Sequence, residues 1–311
     1  MRHLLSLAQV GPDNLAELVR TSLDIATRHN GNGKPLSGKI VGLYFRGTST
    51  RTRTAFTIGA IRLGAEVVTY GPKDLQLETG ESVRDTGRVL SSFLDALVVR
   101  TNGSAGEMAE LASQDRMAVI NAMSEDEHPT QAVADLVTIK EALGRLEGVH
   151  VLYVGEGNNS AAALALAVAM TPGMRLTVIT PEGYGLPYAT LAEADKFARV
   201  TGAVLEQHHD IAHAPAGVDV VYATRWQTMG VSKADPHWKE KFMPFSVTEP
   251  LMSRVSKPSG TIFLHDLPAV RGDDVTDAVL DGPQSRAFRQ AEHKMTSAMA
   301  VLTWCLNGTA H

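Results

Sequence analysis

The sequence predicts an α/β protein of two open parallel-sheet domains joined by helices. Three observations carry this. Short β-branched runs recur at strand–helix spacing along the 311 residues. Each of the first four is largely apolar on both faces, as parallel strands covered by helices are. The runs also fall into two sets, separated by a helical stretch at 131–143. Repeated βα alternation of this kind builds open sheets rather than a sandwich or a bundle.

The elements follow in order. The chain starts with a helix, because Leu15, Leu18, Val19, Leu23 and Ala26 share one face. Gly31–Pro35 is a loop. The first strands are 39–45, 66–71, 96–101 and 117–122. Ala55, Phe56, Ile58, Gly59, Ile61 and Leu63 mark a helix between the first two. After the 131–143 helix come strands at 149–156, 176–181, 203–207, 218–223 and 261–266. The stretch 224–250 has few signals of its own, and a loop that long in a compact enzyme is often functional. Residues 285–306 form a last helix, which returns to the first domain. The domains are therefore 1–135 with 286–311, and 136–285.

Composition narrows the partners. The 29 Lys and Arg against 34 Asp and Glu give a net charge of −5, with no basic excess for nucleic acid. One cysteine, Cys305, leaves no internal disulfide and no cysteine metal cluster. The longest apolar run, Ala161–Met170, is far short of a bilayer span. The N-terminus meets Pro12 and Asp13 before an apolar signal core forms, so a cytoplasmic protein is expected. His209 and His213 have metal-ligand spacing only if helical. Their place after a strand and before Pro215 favours a polar turn, so no metal is expected.

The chemistry concentrates at strand ends. Phe45–Thr54 follows a strand and opens a helix. A helix N-terminus offers N–H groups and partial positive charge to a phosphate. Ser49, Thr50 and Thr52 add hydroxyl donors there, and Arg51 and Arg53 add full charge. No Walker pattern is present, so the phosphate need not belong to a nucleotide. Arg100, His128-Pro129-Thr130-Gln131 and His265-Asp266-Leu267-Pro268 occupy equivalent strand ends, where open α/β sheets bind ligands.

These segments resemble the aspartate/ornithine carbamoyltransferase family over almost the whole chain. The motifs are Ser49-Thr50-Arg51-Thr52-Arg53, Glu81-Ser82 with Asp85-Thr86, Arg100, His128–Gln131 and His265–Pro268. Asp281–Ser285 and Glu125-Asp126-Glu127 point to the ornithine branch. The resemblance implies carbamoyl phosphate as donor, bound by the first domain. Ser49, Thr50, Arg51 and Thr52 would hold its phosphate. Thr52, Arg100 and His128 would polarise the carbamoyl oxygen, and Gln131 would take the amide nitrogen. An amine attacks, charge grows on that oxygen, and pre-placed donors stabilise it. Neither cofactor nor metal is needed, and His128 serves as a hydrogen-bond donor rather than an obligatory base. The resemblance also implies a trimer, or a multiple of it, in which the neighbour's 75–82 loop completes each site.

The acceptor side departs from the family pattern. Gly155-Glu156-Gly157-Asn158-Asn159 resembles the ornithine-type G-D-G-N-N with Glu for Asp, and places Asn159 on an amino-acid acceptor. The rival reading is a dinucleotide fingerprint, G-x-G-x-x-G, in which Ser160 replaces the third glycine. The family's Asp before Ser-Met-Gly is Thr224 here, in the run Thr224-Arg225-Trp226-Gln227-Thr228-Met229-Gly230. The usual Cys before Leu-Pro is Asp266, so Asp266 is expected to restore the missing carboxylate from the neighbouring strand. Arg225 and Gln227 resemble the carboxylate grip of the aspartate branch. Thr228, Met229 and Leu267 complete the acceptor set, and the 224–250 stretch is expected to close over it. On the donor side, Thr79 stands where a basic residue is usual, and Lys294 where Arg is usual. The expected acceptor is ornithine or a related amino acid. A non-catalytic or weakly active metabolite-binding homologue is the alternative, and an NAD-dependent enzyme a further one.

Overall fold

The computed structural model describes residues 2–27, 33–227 and 232–307. The helices and strands run α1 (Leu7–Thr27), β1 (Ile40–Phe45), α2 (Arg51–Arg62), β2 (Glu66–Tyr70), α3 (Val83–Leu90), β3 (Ala96–Arg100), α4 (Ala105–Leu111), β4 (Ala118–Met123) and α5 (Pro129–Leu143). They continue with β5 (His150–Val154), α6 (Asn159–Ala169), β6 (Arg175–Ile179), α7 (Tyr188–Thr201), β7 (Val204–His208) and β8 (Val220–Ala223). The last are α8 (Trp238–Phe242), α9 (Glu249–Val255), β9 (Ile262–His265), α10 (Asp277–Leu280) and α11 (Ala287–Asn307). Each strand expected from the sequence is present. Helix α1 is interrupted at Gly11, whose φ of 76° breaks the helical path before Pro12 opens the second part.

The chain divides into two compact units. One holds the residues up to Ala134 and those from Glu292 on, and the other is Asp135–Ala291. Both crossings fall inside helices, in α5 and α11.

The first unit carries a parallel four-stranded sheet in the order β2-β1-β3-β4. Its core joins Tyr44, Leu97, Val99 and Val119 to Leu90, Leu94 and Leu111. Edge strand β4 is nevertheless buried throughout. The N-terminal segment lies along it, with Leu4 N–H on Val119 O at 3.0 Å and Asn121 N–H on Leu4 O at 2.7 Å. The opposite edge, β2, is largely exposed, so the expectation of two apolar faces fails there. An edge strand has one side and part of a face uncovered.

The second unit carries a parallel five-stranded sheet in the order β7-β6-β5-β8-β9. Leu152, Val154, Val221 and Phe263 form its core with Phe245, Leu251 and Val255 from the following segments. Helix α6 is buried at every residue, which its alanine-rich sequence permits by allowing close approach. The stretch 224–250 has more structure than its sequence suggests, because α8 and a 3₁₀ turn at Met243–Phe245 lie within it. Phe242 organises this region by packing against Tyr184, Trp226 and Trp238.

In both sheets the strand order reverses at one point. The chain winds one way from β1 to β2 and the other way through β3, and likewise away from β5 through β6 and through β8. The loops after β1 and β3 therefore diverge, as do those after β5 and β8. Such divergence opens a crevice at the carboxyl ends of the strands.

Candidate functional site

In the first unit the crevice between β1 and β3 carries the expected donor residues. Phe45 and Arg100 end those strands opposite each other in register. The β3–β4 pairing slips between Val99 and Arg100, an irregularity that re-aims the side chain at the strand's end. Ser49 and Thr50 close the loop after β1, and Arg51 and Thr52 are the first residues of α2. Thr50, at the N-cap of α2, makes no side-chain cap hydrogen bond. A cavity of about 450 Å³ opens against this loop, lined by Arg46, Gly47, Thr48, Ser49, Thr50, Arg53 and Pro72.

Arg100 is only 5% exposed, and its Nη1 donates to Thr52 Oγ1 at 3.4 Å. Arg46, which the sequence reading did not single out, braces the loop. It donates to Tyr44 Oη at 2.8 Å and pairs with Glu107 at 2.7 Å. Nothing local in the sequence links Arg46 to Glu107, since α4 reaches it only through the fold.

His128 precedes α5, with its ring 3.4 Å from Thr130 Oγ1 through Nδ1. Burial, with the Lys294 and Arg100 charges beside it, holds the imidazole well below its ordinary pKa. The ring is therefore neutral near pH 7. In the tautomer whose Nδ1 accepts from the Thr130 hydroxyl, Nε2 bears the proton and can donate it. Lys294, from α11, is buried and donates to Gln131 Oε1, which fixes that amide. Arg51, Thr52, Arg100, His128, Gln131 and Lys294 thus lie on elements of one unit that meet at the carboxyl ends of β1, β3 and β4. Glu127 turns away from them. Its Oε1 accepts the Leu7 N–H at 2.8 Å, and burial, with Asp126 adding to it, pushes the carboxyl up to about 7.

Glu81, Ser82, Asp85 and Thr86 form the start of α3. Ser82 Oγ accepts the Asp85 N–H at 3.1 Å, and Thr86 Oγ1 donates to Glu81 at 2.6 Å. Thr79 donates to Gln76 O at 2.9 Å within the turn before it.

In the second unit the crevice between β5 and β8 carries the expected acceptor residues. Val154 pairs with Ala223 and Ala223 with His265, so Asn158, Thr224 and Asp266 follow three adjacent strand ends. Asn158 Nδ2 donates to Thr224 Oγ1 at 3.2 Å, and Thr224 Oγ1 donates to the Asp266 carboxylate at 3.2 Å. Asn158 also caps α6, accepting the Ser160 and Ala161 N–H groups at 3.0 and 3.1 Å. The sequence reading weighed Asn159 and passed over this cap, although Asn directly before a helical run is its ordinary signal. Asn159 follows it, buried at the first position of α6. Gly157 lies so close to the Gly185–Leu186 backbone that a Cβ would come within 2.4 Å of it, which explains the glycine without any bound phosphate.

His265 holds the loop that carries Asp266 and Leu267. Its Nδ1 accepts the Leu267 N–H at 2.8 Å, so Nε2 bears the proton it donates to Asp274 at 2.8 Å. Leu267 adopts a φ of 50°, unusual for a branched side chain. Arg225 and Gln227 follow Thr224, half-buried. Thr228 and Met229 lie outside the described residues. His208 and His213 stack with ring centres 5.1 Å apart, while His209 faces Thr180.

Residues 2–141 match the aspartate/ornithine carbamoyltransferase carbamoyl-P binding domain, and residues 147–305 match the Asp/Orn binding domain of the same family. The chain is 38% identical to an ornithine carbamoyltransferase of Halalkalibacterium halodurans, over 99% of this chain and 96% of that one. It superposes on the ornithine carbamoyltransferase of Pyrococcus furiosus with a TM-score of 0.92 at 34% identity, covering 99% and 98% of the two chains. The Gloeobacter violaceus ornithine carbamoyltransferase gives 0.85 at 35%, covering 98% and 99%. Matches of this extent, across both units, establish that the chain belongs to the aspartate/ornithine carbamoyltransferase family.

Proposed function

We propose that this protein transfers the carbamoyl group of carbamoyl phosphate to the primary amine of an amino-acid acceptor, ornithine or a related amino acid. The products are a ureido compound and phosphate. The observation that carries this reading is the donor crevice of the first unit. There the start of α2, with Ser49, Thr50, Arg51 and Thr52, meets the buried polar set Arg100, His128, Gln131 and Lys294, with Arg100 donating to Thr52 Oγ1.

The phosphate dianion suits the mouth of α2 and the Arg51 guanidinium. The carbamoyl oxygen gains negative charge as the amine adds to the carbonyl carbon. Arg100, Thr52 and the neutral His128 ring can donate to it, and stabilisation of this kind is worth roughly two to three orders of magnitude in rate per donor. Lys294 donates to Gln131 Oε1 and so holds the amide that would take the carbamoyl nitrogen in this reading. Collapse breaks the bond from carbon to the phosphate oxygen, and the leaving phosphate takes the amine proton.

The residues 135–291 bind the acceptor in this reading, through Asn159, Thr224, Arg225, Gln227, Asp266 and Leu267, with Thr228 and Met229. Asp266 supplies the carboxylate that Thr224 lacks. The hydrogen bond between the two supports this, since both are then parts of one group. The protein works as a homotrimer or a multiple of it. Support comes from the apolar side chains left exposed on the first unit, Ile58, Ile61, Val68, Val89 and Phe93.

Phosphate release from carbamoyl phosphate, assayed with a panel of diamines and amino acids and read out by product mass, tests the proposal. A ureido product is expected, with Arg51→Ala lowering kcat/KM by about 10²- to 10³-fold. No product with any amine, or an Arg51→Ala protein as fast as the parent, would overturn it.

A further inference from the structure

A second charged group lies against the acceptor turn. The Lys233 side chain is 6% exposed and ion-pairs with Glu156, itself 16% exposed. The Lys233 ammonium also sits over three aromatic faces, 4.7 Å from the Tyr184 ring centre, 5.1 Å from Phe242 and 5.5 Å from Trp238. Each distance is within cation–π range, and the site is largely desolvated. A stray surface lysine would not find one carboxylate and three ring faces together.

The box is built into the turn after β5. Glu156 O accepts from Tyr153 Oη and from the Asn158 N–H, both at 2.8 Å. Gly157 N–H donates to Tyr184 O at 2.8 Å, so one wall of the box is bonded to the turn itself. Gly155 packs so tightly on Thr224 that a Cβ there would come within 2.8 Å of its methyl group. A tilt of this turn therefore moves Asn158, and with it Thr224 and Asp266.

We propose that Lys233 is a positioning residue for the acceptor. Its ammonium, clamped between Glu156 and the rings of Tyr184, Trp238 and Phe242, fixes the Gly155–Asn158 turn and so sets the Asn158–Thr224–Asp266 chain. The inference rests on the reading of that chain as part of the acceptor site. It assigns work to Glu156, the residue by which this turn departs from the family's Asp. The longer carboxylate reaches an ammonium that arrives from the 224–250 stretch.

The test compares Lys233→Met, which keeps the stem and loses the charge, with Lys233→Arg, which keeps the charge, and with Glu156→Gln. Steady-state kinetics vary L-ornithine at saturating carbamoyl phosphate, and then the reverse. Lys233→Met and Glu156→Gln should each raise the ornithine KM about tenfold, leaving the carbamoyl phosphate KM within about twofold. Lys233→Arg should recover most of the loss. The double variant should be no worse than the worse single, because both remove one interaction. Amide exchange provides a readout that does not need turnover. In Lys233→Met the Gly157, Ser160 and Ala161 N–H groups should exchange about tenfold faster, with the interior of α6 unchanged. Equal rises in both KM values, an unmoved ornithine KM, or unchanged exchange at those three amides would overturn the inference. A parent enzyme that makes no ureido product, with exchange at the three amides still accelerated, would instead strike the function reading and leave the positioning role standing.

Discussion

Replacing Glu127 with Gln should make the protein more stable at pH 8 and leave it nearly unchanged at pH 5. The carboxyl is buried beside the start of α1, where burial outweighs the help of the Leu7 N–H and raises it from 4.5 to about 7. A carboxyl that holds its proton more tightly when folded contributes most below 4.5. That contribution is lost as the pH rises through 7, because the unfolded chain then binds fewer protons than the folded one. At roughly 1.4 kcal/mol per pH unit, the loss between pH 5 and pH 8 is about 2.5 kcal/mol. Gln keeps an oxygen for the Leu7 N–H and carries no charge at either pH, so it should not share the loss. For a folded unit of this size the difference corresponds to about 5–10 °C in melting temperature at pH 8. Thermal unfolding of both proteins in matched buffers from pH 5 to pH 8 measures it. Parallel profiles, or a variant that loses stability faster than the parent as pH rises, would refute the reasoning.

Three further outcomes concern the sites. Asp266→Asn keeps the size of the group and can still accept from Thr224, but removes the charge opposite an acceptor amine. The ornithine KM should rise, or kcat fall, by about tenfold or more while the carbamoyl phosphate KM stays nearly fixed, and an unchanged acceptor profile would sink that role. His128 is already neutral well below its ordinary range, since burial first and the Lys294 and Arg100 charges next disfavour the imidazolium. Protonation of His128 should therefore place no acid limb near pH 6.5 on kcat/KM. His128→Gln, which preserves a donor, should retain more activity than His128→Ala in the same pH series.

The strands and the donor residues were legible in the sequence because both are written locally. An apolar run ended by Phe45 or Arg100 signals a buried parallel strand whose last residue sits at a loop, and Ser49–Arg53 announces a helix mouth rich in donors. The exposure of β2 was not legible, because Val67 and Val68 look like core residues until the sheet order places them at an edge. The capping role of Asn158 beside Asn159 was not legible for a different reason. Two adjacent asparagines are equivalent in a string, and only the start of α6 decides which one caps it. Arg46–Glu107 and Glu156–Lys233 were out of reach altogether, since each joins residues that only tertiary folding brings together.

The carboxylate relocation proposed above, from position 224 to 266, has a basis in sheet geometry. Ala223 and His265 are register partners on adjacent parallel strands, so the residues after them leave the sheet side by side. Neighbouring parallel strands lie about 4.8 Å apart, little more than the reach of one side chain. A carboxylate lost after β8 can thus be supplied after β9 with its charge displaced by about one strand spacing. In that proposal position 224 carries a hydroxyl in place of a charge, and the hydroxyl donates to Asp266. The displacement is not free of consequence for recognition. An acceptor whose amine meets the charge one strand further along the edge must differ in length or branching, or bind with its chain tilted toward β9. The acceptor panel reads this directly, because a preference for amines one methylene longer or shorter than ornithine would report the displaced charge.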